Sequence, residues 1–475
     1  MRAVLLGLLA AAACDPRGAA QAAPLERIHY DLARSSHTLE GFGANVWPGC
    51  PAAERVFRGL GMRFARLWIG CHGSPPPPDA PREAFDAYWR ASPGLAPAVS
   101  TGRALAARGV RILLGLGAPP EEWMGPGKRL RPEFHEAFAR LWGAAVHVHN
   151  DAGVPVRWIE LYNEPDGNWS VHVPPADNAR VIRLVRAELD ARGLRDVGIA
   201  APGTAHADHG PAGDPWVEAM DPATAAAVAV WSNHAWEWNL RAIHAPNGGA
   251  YLRDAWSGFL GSVRRKDPER TRPIYVTEYA TKAHVFDGID LGDPGKGRSE
   301  RCATDTVPYA IRVVENTLHL ANAGAQALLV WEAADQPWSN HEWGLVKRPE
   351  KAGEPRPVYH ALRAVLPHIP PDSRVLVAGS PAPTVASAAF RRGPRLVWVA
   401  ANGSTETSDV EAAFAGASRL RAVETAVFAG GGAQPRASLS GATVRARLPP
   451  RTVITVVLNI EQGRRRAGSA ALSGP

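Results

Sequence analysis

Short apolar runs alternate with longer amphipathic stretches between residues 41 and 366. Each run is six to eight residues long, the length of a buried strand. The runs are Gly41–Val46, Arg63–Gly70, Val110–Gly117, Val156–Asn163, Val197–Pro202, Ala226–Asn233, Pro273–Glu278 and Ala325–Glu332. Eight strand–helix units over about 325 residues are typical of a (β/α)8 barrel. The pattern therefore predicts an α/β protein whose main domain, residues 41–366, is a TIM barrel.

The stretches between the runs have the period of a helix. Apolar residues recur three and four positions apart in Phe134–Asn150, Ala176–Arg192 and Val307–Ala323. That spacing places them on one face of an α-helix, which can pack against the outside of the barrel. We therefore expect a ring of helices around the eight strands.

The pattern changes after residue 370 to strand-like runs separated by Gly, Pro and Ser. These runs are Arg374–Ala378, Thr384–Phe390, Leu396–Ala401, Leu420–Phe428 and Thr443–Leu458. Closely spaced strands with such turn residues are typical of a β-sandwich. We expect a second, smaller β-sandwich domain at residues 367–460. Because Arg27–Leu39 is also strand-like, residues 23–40 are expected to add an N-terminal strand to it.

Both ends of the chain differ from the two domains. Residues 1–22 resemble a signal peptide: Met1-Arg2 precedes an apolar stretch too short to span a bilayer, and Ala20-Gln21-Ala22 fits a cleavage site. Ala11-Ala12-Ala13-Cys14 resembles a bacterial lipobox, with Ala where Leu is usual, so a lipid anchor at Cys14 is an alternative to soluble secretion. We expect export without a membrane span, to the periplasm, the medium or the cell surface. Residues 461–475 are predicted to be a disordered basic tail.

Export places the remaining cysteines in an oxidising compartment. Cys50 and Cys71 follow consecutive predicted barrel strands and are expected on the same barrel face. We therefore predict a disulfide between them and a free Cys302.

Composition and charge exclude several classes of protein. The chain has 475 residues, of which 45% are apolar and 21% charged, as in ordinary globular proteins. Its formal charge of +7 falls to +3 without Arg2 in the leader and Arg464, Arg465 and Arg466 in the tail. We expect no nucleic-acid partner. Trp is abundant, with 16 residues against 8 Tyr and 11 Phe, and its broad apolar face is suited to stacking on sugar rings.

Two glutamates end predicted barrel strands. Glu164 closes the fourth strand and Glu278 the seventh, and active sites of (β/α)8 barrels form at these carboxyl ends. Hydrolysis of a glycosidic bond needs two carboxyl groups, one that protonates the leaving oxygen and one that is ionised. A separation of about 5–5.5 Å gives retention through a covalent glycosyl-enzyme, and a wider gap leaves room for water and gives inversion.

The motifs around these glutamates resemble glycoside hydrolase clan A, and within it family 30 most. Asn163-Glu164-Pro165 on strand four and Glu278 on strand seven match the clan. Gly41-Phe42-Gly43, Pro119-Pro120-Glu121-Glu122-Trp123-Met124 and Leu448-Pro449-Pro450-Arg451-Thr452-Val453 resemble family 30 segments at the first strand, after the third strand and in the last sandwich strand. The order and spacing cover residues 26–460.

Three departures keep family 39 or another clan A family as an alternative. A second Gly that is usual at the first strand is Ala44, and the loop after the third strand carries one extra Glu. The sixth strand ends in Ser232-Asn233-His234-Ala235-Trp236 instead of His-x-Tyr.

The resemblance implies roles for particular residues. Glu164 would be the acid/base and Glu278 the nucleophile of a retaining enzyme. Arg66 would keep Glu278 charged, Asn163 would bind the sugar 2-OH and His234 would position a carboxylate or hydroxyl. The predicted aromatic substrate contacts are Trp331, which would support the sugar ring, with Trp123, Trp47, Tyr279 and, more weakly, Trp169, Trp236 and Trp338.

Other interpretations of the same residues stay open at this stage. Asn-Glu-Pro alone could be a turn that opens a helix, and Glu160 could form a structural ion pair inside the barrel. The loop His206-Ala207-Asp208-His209 could bind a metal, but no pattern of further ligands accompanies it. We expect a monomer that needs no metal or other cofactor and acts on β-linked oligo- or polysaccharide. A non-catalytic glycan-binding barrel at the cell surface is the alternative.

Overall fold

A computed structural model describes residues 25–206, 212–236, 250–296, 302–351, 353–379, 384–430 and 432–461. The strands are β1 (Glu26–Leu39), β2 (Gly41–Val46), β3 (Phe64–Ile69), β4 (Arg111–Leu116), β5 (Met124–Gly125), β6 (Arg129–Leu130), β7 (Val156–Glu160), β8 (Gly198–Thr204), β9 (Val228–Ala235), β10 (Ile274–Tyr279), β11 (Val285–Phe286), β12 (Ile289–Asp290), β13 (Ala327–Val330), β14 (Ser373–Ala378), β15 (Ala386–Arg392), β16 (Arg395–Asn402), β17 (Ser408–Ala415), β18 (Arg419–Ala429), β19 (Arg436–Ser440), β20 (Thr443–Leu448) and β21 (Thr452–Glu461). The helices are α1 (Ala53–Leu60), α2 (Arg82–Ala91), α3 (Leu95–Ala106), α4 (His135–Asp151), α5 (Pro175–Ala191), α6 (Pro215–Glu218), α7 (Pro222–Ala227), α8 (Ala250–Lys266), α9 (Val307–Ala323) and α10 (Pro357–Arg363).

Eight parallel strands close into a barrel in the order β2, β3, β4, β7, β8, β9, β10 and β13, and β13 pairs back onto β2. This confirms the predicted barrel. Helices α4, α5 and α9 begin and end within one residue of the three stretches that have helical period. Differences of that size are usual at helix ends, which fray.

The lower half of the barrel is filled by apolar side chains. Seven of the eight strands contribute to this cluster of Phe64, Leu113, Trp158, Ala200, Val230, Tyr275, Ala327 and Leu329. Because side chains alternate along a strand, residues two positions further along face the same interior. The residues above this apolar layer are therefore the ones that face the carboxyl end of the barrel.

A nine-stranded mixed sheet forms the second domain, in the order β18, β21, β16, β15, β14, β1, β17, β20 and β19. Strand β1 pairs antiparallel with β14 and parallel with β17, which confirms the predicted N-terminal contribution. Its own apolar core includes Tyr30, Trp398, Phe414 and Ile454.

Two details of this domain differ from the prediction. Strands β17 and β19 were not predicted, because β17 has only two large apolar residues, Val410 and Phe414, and β19 is largely exposed. The predicted single strand Thr443–Leu458 is two strands, β20 and β21. Pro449 and Pro450 lie between them, where they cannot donate ladder hydrogen bonds, and Arg451 has a φ of 55°.

The predicted disulfide is wrong, since Cys50, Cys71 and Cys302 are all free thiols. The Cys50 sulfur faces the backbone of Ala52 and Ala53 at the start of α1, whereas the Cys71 sulfur contacts Tyr88 of α2. Burial raises the pKa of both thiols to about 12. Consecutive strands therefore carry these residues to the same end of the barrel, but their side chains turn into different packing environments.

Some predictions concern residues at the ends of the chain. The predicted leader at residues 1–22, with Cys14, and the tail beyond Glu461 lie outside the described residues. Among the helices that are described, none is both long and apolar enough to cross a bilayer.

Candidate active site

Arg66 lies at the centre of a polar layer above the apolar interior of the barrel. It is two positions beyond Phe64 on β3, so its side chain faces inward, and it is fully buried. Its Nε lies 2.7 Å from Glu160 and its Nη1 lies 2.8 Å from Oε2 of Glu278. Nη2 donates to Oδ1 of Asn163 at 3.2 Å. One guanidinium thus joins side chains that come from strands on opposite sides of the barrel.

A glycine on the neighbouring strand makes room for this guanidinium. A Cβ atom at Gly115 of β4 would lie 2.9 Å from Nε of Arg66 and 3.5 Å from its Cζ. Distances below 3 Å are too short for real contacts between such atoms. The absence of a side chain at position 115 therefore lets Arg66 lie flat across the barrel.

The two predicted catalytic carboxyl groups lie close together. Glu164 follows β7 in a left-handed conformation, with a φ of 60°, and Glu278 is on β10. One oxygen of each carboxyl group and one ring nitrogen of His234 all lie within 4.8 Å of one another. Both carboxyl groups are buried, as is the histidine.

An irregularity in β10 turns Glu278 inward. The pairing register of β10 with β9 shifts between Val276 and Glu278, and its register with β13 shifts between Val276 and Tyr279. Thr277 still faces the interior, where its hydroxyl donates to Glu160 at 2.7 Å. Because the bulge breaks the alternation, Glu278 faces the same cavity as Thr277.

The same bulge explains why the prediction that Tyr279 contacts sugar is wrong. Tyr279, predicted to contact sugar, is 1% exposed and its hydroxyl is 2.9 Å from that of Thr317 on α9. It therefore faces the surrounding helices instead of the cavity. Trp123 also departs from the prediction, because its buried ring is stacked on Phe134 at 5.6 Å and belongs to the core.

His234 connects the carboxyl groups. Its Nδ1 is 2.8 Å from Oε1 of Glu164 and 3.8 Å from Glu278, and its Nε2 is 3.7 Å from Glu160. Burial alone would lower the pKa of His234, but these three carboxylates raise it to about 10. The ring is therefore protonated at neutral pH, and Nδ1 donates to Glu164.

Glu160 forms a buried ion pair beneath the two facing glutamates. Burial would raise its pKa, but Arg66, His234 and the Thr277 hydroxyl lower it to about 2. It therefore remains ionised under ordinary conditions. The negative charge of Glu160 compensates part of the positive charge of Arg66, because Arg66 also pairs with Glu278.

Glu278 receives hydrogen bonds on both oxygens. Arg66 donates to Oε2, and the indole Nε1 of Trp236 donates to Oε1 at 3.0 Å. Burial raises the pKa of Glu278 above its usual value; His234, Arg66 and Trp236 act in the opposite direction, while Glu164 adds to the increase. All three opposing groups stabilise the ionised form.

Two further groups in this layer are asparagines. Oδ1 of Asn163 accepts from Arg66, and its backbone carbonyl accepts from the Ser170 hydroxyl at 2.7 Å. Asn45, which was not predicted, accepts from Arg66 at 3.1 Å and from the Trp68 indole at 3.0 Å. It was missed because it lies inside the apolar first run, where a single polar residue of interior parity was its only signal.

Aromatic side chains surround the carboxyl groups on two sides. Trp331 directly follows β13 and packs edge-to-face with Trp68 at 5.4 Å. Trp47 is buried and donates to the carbonyl of Ala334, and its ring contacts the exposed Trp338. On the other side, the indole of Trp169 donates to Oε2 of Glu164. Trp169 and Trp236, the weaker sequence candidates, thus contact the two glutamates directly.

The charge balance determines what could bind here. Glu164, His234 and Glu278 could offer three ligand atoms to a metal. His234 is already protonated and Arg66 is paired with Glu278, so a cation would have to displace existing positive charge. Of the predicted loop histidines, His206 is bound to Asp166 at 2.6 Å, while Asp208 and His209 lie outside the described residues. The arrangement suits carboxylate chemistry better than metal binding.

A cleft of about 1140 Å³ opens beside Trp169, whose indole donates to Glu164. It is lined by the loops that follow β3, β4 and β7, and the residues include Cys71, Glu122, Lys128, Trp169 and Ser170. Polar and apolar groups contribute to its walls in similar measure. Its volume is slightly above the range of about 300–1,000 Å³ that is typical of small-molecule pockets, so it has room for a small organic ligand.

Solved structures with this fold include glycoside hydrolases. A glycoside hydrolase family 30 subfamily 8 xylanase from Clostridium acetobutylicum has a TM-score of 0.66 and 18% identity, covering 91% of this chain and 99% of that one. A family 30 endoxylanase from Clostridium papyrosolvens C71 has a TM-score of 0.65 and 17% identity, covering 91% and 100%. A family 51 arabinofuranosidase from Xanthomonas axonopodis pv. citri has a TM-score of 0.64 and 14% identity, covering 91% and 99%.

Sequence comparison gives no comparable match: no family model and no curated protein matches the chain. The structural similarity establishes a shared fold over nearly the whole length of these proteins. It agrees with the sequence resemblance to clan A, with family 30 structures among the similar ones.

Proposed function

We propose that this protein is a retaining glycoside hydrolase that cleaves β-linked oligo- or polysaccharide, with Glu278 as nucleophile and Glu164 as acid/base. The observation that carries the proposal is the short distance between the two carboxyl groups, whose facing oxygens lie within 4.8 Å. Retaining enzymes hold these groups about 5–5.5 Å apart, whereas inverting enzymes need about 6.5–9.5 Å for a water molecule.

The first step would form a covalent glycosyl-enzyme. An oxygen of Glu278 attacks the anomeric carbon, the bond to the leaving oxygen breaks, and that oxygen takes the proton of Glu164. In the second step, Glu164 takes a proton from water, the water oxygen attacks the anomeric carbon and Glu278 is released. The hydrogen bonds from Arg66 and Trp236 support the nucleophile role, because they favour an ionised Glu278 in a buried environment.

His234 would supply the acid. Its Nδ1–H donates to Oε1 of Glu164 at 2.8 Å, so one proton is shared by the two groups. The pair gives this one proton to the leaving oxygen through Glu164, which is then ionised and can act as base. When Glu164 acts as base in the second step, the proton returns to the pair.

Asn163 and Trp331 would bind the sugar at the cleavage point. Asn163 is held by Arg66 and Ser170, which leaves its side-chain amide NH2 for the sugar 2-OH. Trp331 lies on the Glu278 side of the cavity, next to Trp68, and its ring would support the sugar from below.

Catalysis explains the buried charges better than glycan binding alone. Burying ionised groups is costly unless they are paired, and a binding protein has no need of a buried Arg66–Glu278–His234–Glu164 cluster. We also propose that the protein is exported, because its first 22 residues have the pattern of a signal peptide.

Two experiments test the proposal. Aryl β-glycosides and polysaccharides are screened together, including xylan, because two of the similar structures are described as xylanases. On the best aryl substrate, Glu278→Ala should be inactive and should regain turnover with azide, giving a glycosyl azide. The matched control is Glu83→Ala, at an exposed glutamate of α2, which should behave as the wild type. Hydrolysis retained by Glu278→Ala without azide would remove Glu278 from the nucleophile role.

A further inference from the structure

We propose that a pocket at the amino end of the barrel binds a phosphate or sulfate group through Arg264, Arg270 and Arg272. The pocket has a volume of about 320 Å³ and lies where the barrel meets the second domain. The proposed active site is at the opposite, carboxyl end of the strands. The inference therefore goes beyond the proposed function and does not depend on it.

Three parts of the chain form the walls of this pocket. Ser36, His37 and Thr38 come from the end of β1, which belongs to the sheet of the second domain. The last turn of α8 and the turn that leads to β10 form another wall, and the end of α9 with Gln326 forms the third. Ile274 begins β10 and Gln326 directly precedes β13, which places the pocket at the amino ends of these strands. A ligand bound there would be within reach of both domains.

The three arginines line the pocket without a carboxylate partner. Within the part of the chain that the structure describes, Arg264, Arg270 and Arg272 form no ion pair. Their neighbour Arg265, on the same turn of α8, donates from Nε to Glu218 at 2.9 Å and does not line the pocket. Two adjacent arginines of one helix thus differ, because Arg265 is paired on the surface and the charge of Arg264 is available to a ligand.

Asp267 also lines the pocket, but its oxygens are occupied by the chain itself. Oδ1 accepts from the backbone N–H of Thr271 at 3.1 Å and from its hydroxyl at 2.9 Å. Oδ2 accepts from the backbone N–H of Arg272 at 3.0 Å. Asp267 therefore holds the turn before β10 and compensates one of the three arginine charges.

The other groups of the pocket leave it positively charged. Burial lowers the pKa of His37 to about 4, so its ring is neutral at pH 7. Its Nε2–H then donates to the carbonyl of Ala325 at 3.1 Å, and its Nδ1 accepts from the Ser36 hydroxyl at 2.8 Å. The carboxyl ends of α8 and α9 contribute roughly half a negative charge each. Three arginines against one aspartate exceed this contribution, so the pocket favours an anion.

A phosphate or sulfate group suits this set of donors. The planar N–H groups of arginine bind such oxyanions through paired, charge-assisted hydrogen bonds. A phosphate or sulfate group has oxygens in several directions, so that more than one guanidinium can bind it at once. Gln326 accepts from the backbone of Ile274 through Oε1 at 3.1 Å, which leaves its NH2 group as a further donor. The volume of about 320 Å³ also has room for a small molecule that carries the group.

Calorimetric titration tests the pocket without a glycoside substrate. Sodium phosphate, sodium sulfate and glucose 6-phosphate are titrated into the full-length protein, at an ionic strength kept constant with sodium chloride. Sodium acetate serves as the carboxylate for comparison. We expect one phosphate or sulfate per chain and weaker binding of acetate. Tighter binding of glucose 6-phosphate than of phosphate would support a sugar-borne group as the ligand, and the reverse order would support the free ion.

Substitution of the exposed arginines locates the binding. Arg264→Gln and Arg270→Gln should each raise the Kd for phosphate by about tenfold or more, as expected when one charge-assisted hydrogen bond is lost. Both side chains are exposed, so the variants should unfold at the wild-type temperature in chloride alone. The matched control is Arg265→Gln, which removes the same charge from the same turn but breaks only the pair with Glu218. Its Kd should stay within about twofold of the wild type, because screening weakens the more distant charge.

Two results would overturn the inference. The first is a wild-type protein that binds neither phosphate nor sulfate in a saturable manner, or that binds acetate equally well. The second is an equal increase of Kd in Arg264→Gln, Arg270→Gln and Arg265→Gln, because it would indicate general attraction by a basic surface. Neither result bears on Glu164 and Glu278, since the titrations require no catalysis.

Discussion

Nη1 of Arg66 lies 2.8 Å from Oε2 of Glu278, and both side chains are buried. The two residues come from the second and seventh strands of the barrel, so this ion pair spans its interior. The same guanidinium holds Glu160, Asn45 and Asn163. The position of the proposed nucleophile thus depends on one residue with four partners.

Arg66→Lys should impair catalysis although it keeps the charge. A single ammonium group cannot replace the planar fork of arginine toward four partners. We expect kcat/KM for an aryl glycoside to fall by about 10²–10³-fold, the range seen when one preorganised donor is lost. The matched control is Arg82→Lys, where Arg82 makes a bidentate but half-exposed pair with Glu188. Similar kcat/KM values for both variants would contradict the role of Arg66.

Gly115→Ala tests the space that Arg66 needs. The added methyl group would lie 2.9 Å from Nε of Arg66, so the guanidinium must shift away from Glu160 and Glu278. We expect a loss of about 1–3 kcal/mol in the free energy of unfolding, as for other overpacked sites, with a parallel loss of kcat. Gly432→Ala is the control, because a Cβ atom there meets nothing within 4 Å. A fully active and stable Gly115→Ala would contradict the packing argument.

Glu164→Gln should have an effect that depends on the leaving group. Glutamine cannot give a proton, so hydrolysis of substrates with poor leaving groups should fall by about 10²–10⁴-fold. A dinitrophenyl glycoside needs little acid assistance and should lose much less in its bond-cleavage step. The measurement is a plot of log kcat/KM against the pKa of the leaving group for wild type and variant. Equal losses on all leaving groups would argue against the acid role.

Because of His234, the free energy of unfolding should decrease as the pH rises into the alkaline range. The pKa of His234 is raised from 6.5 to about 10 in the folded protein. Its contribution to the free energy of unfolding is therefore complete below about pH 6.5 and disappears as the pH rises through 10. His234→Gln should be less stable than the wild type by about 3–5 kcal/mol at pH 6, and the difference should shrink toward pH 10. Denaturant unfolding across this range provides the test, and a constant difference would contradict it.

The sequence predicted the barrel and the main catalytic candidates because both depend on regular alternation. Strand ends placed Glu164 and Glu278 among the candidates, and the resemblance to clan A added Arg66, before any contact was known. Tyr279 failed because the bulge in β10 changes which residues face inward. The sequence of a short apolar run does not indicate whether the strand contains a bulge.

Other features depend on contacts between distant residues. Trp169 and Trp236 lie in loops after strands. The residues next to them in the sequence do not indicate whether such a Trp donates to a carboxylate or only packs in the core. Cys50 and Cys71 are a second example. Strand order predicted that they lie close together, but they are free thiols because Cys71 packs against Tyr88. Strand order determines at which end of the barrel a residue lies, and packing determines the direction in which its side chain extends.

The most direct test of the central claim is the mass of the trapped enzyme. Wild-type protein is incubated with 2-deoxy-2-fluoroglycosyl fluorides, digested, and the labelled peptide sequenced by mass spectrometry, with Glu278→Gln as the control. The proposed mechanism predicts one fluoroglycosyl group per chain, bound as an ester to Glu278, and no label in the variant. Label on a different residue, or tight sugar binding without any covalent label, would contradict it.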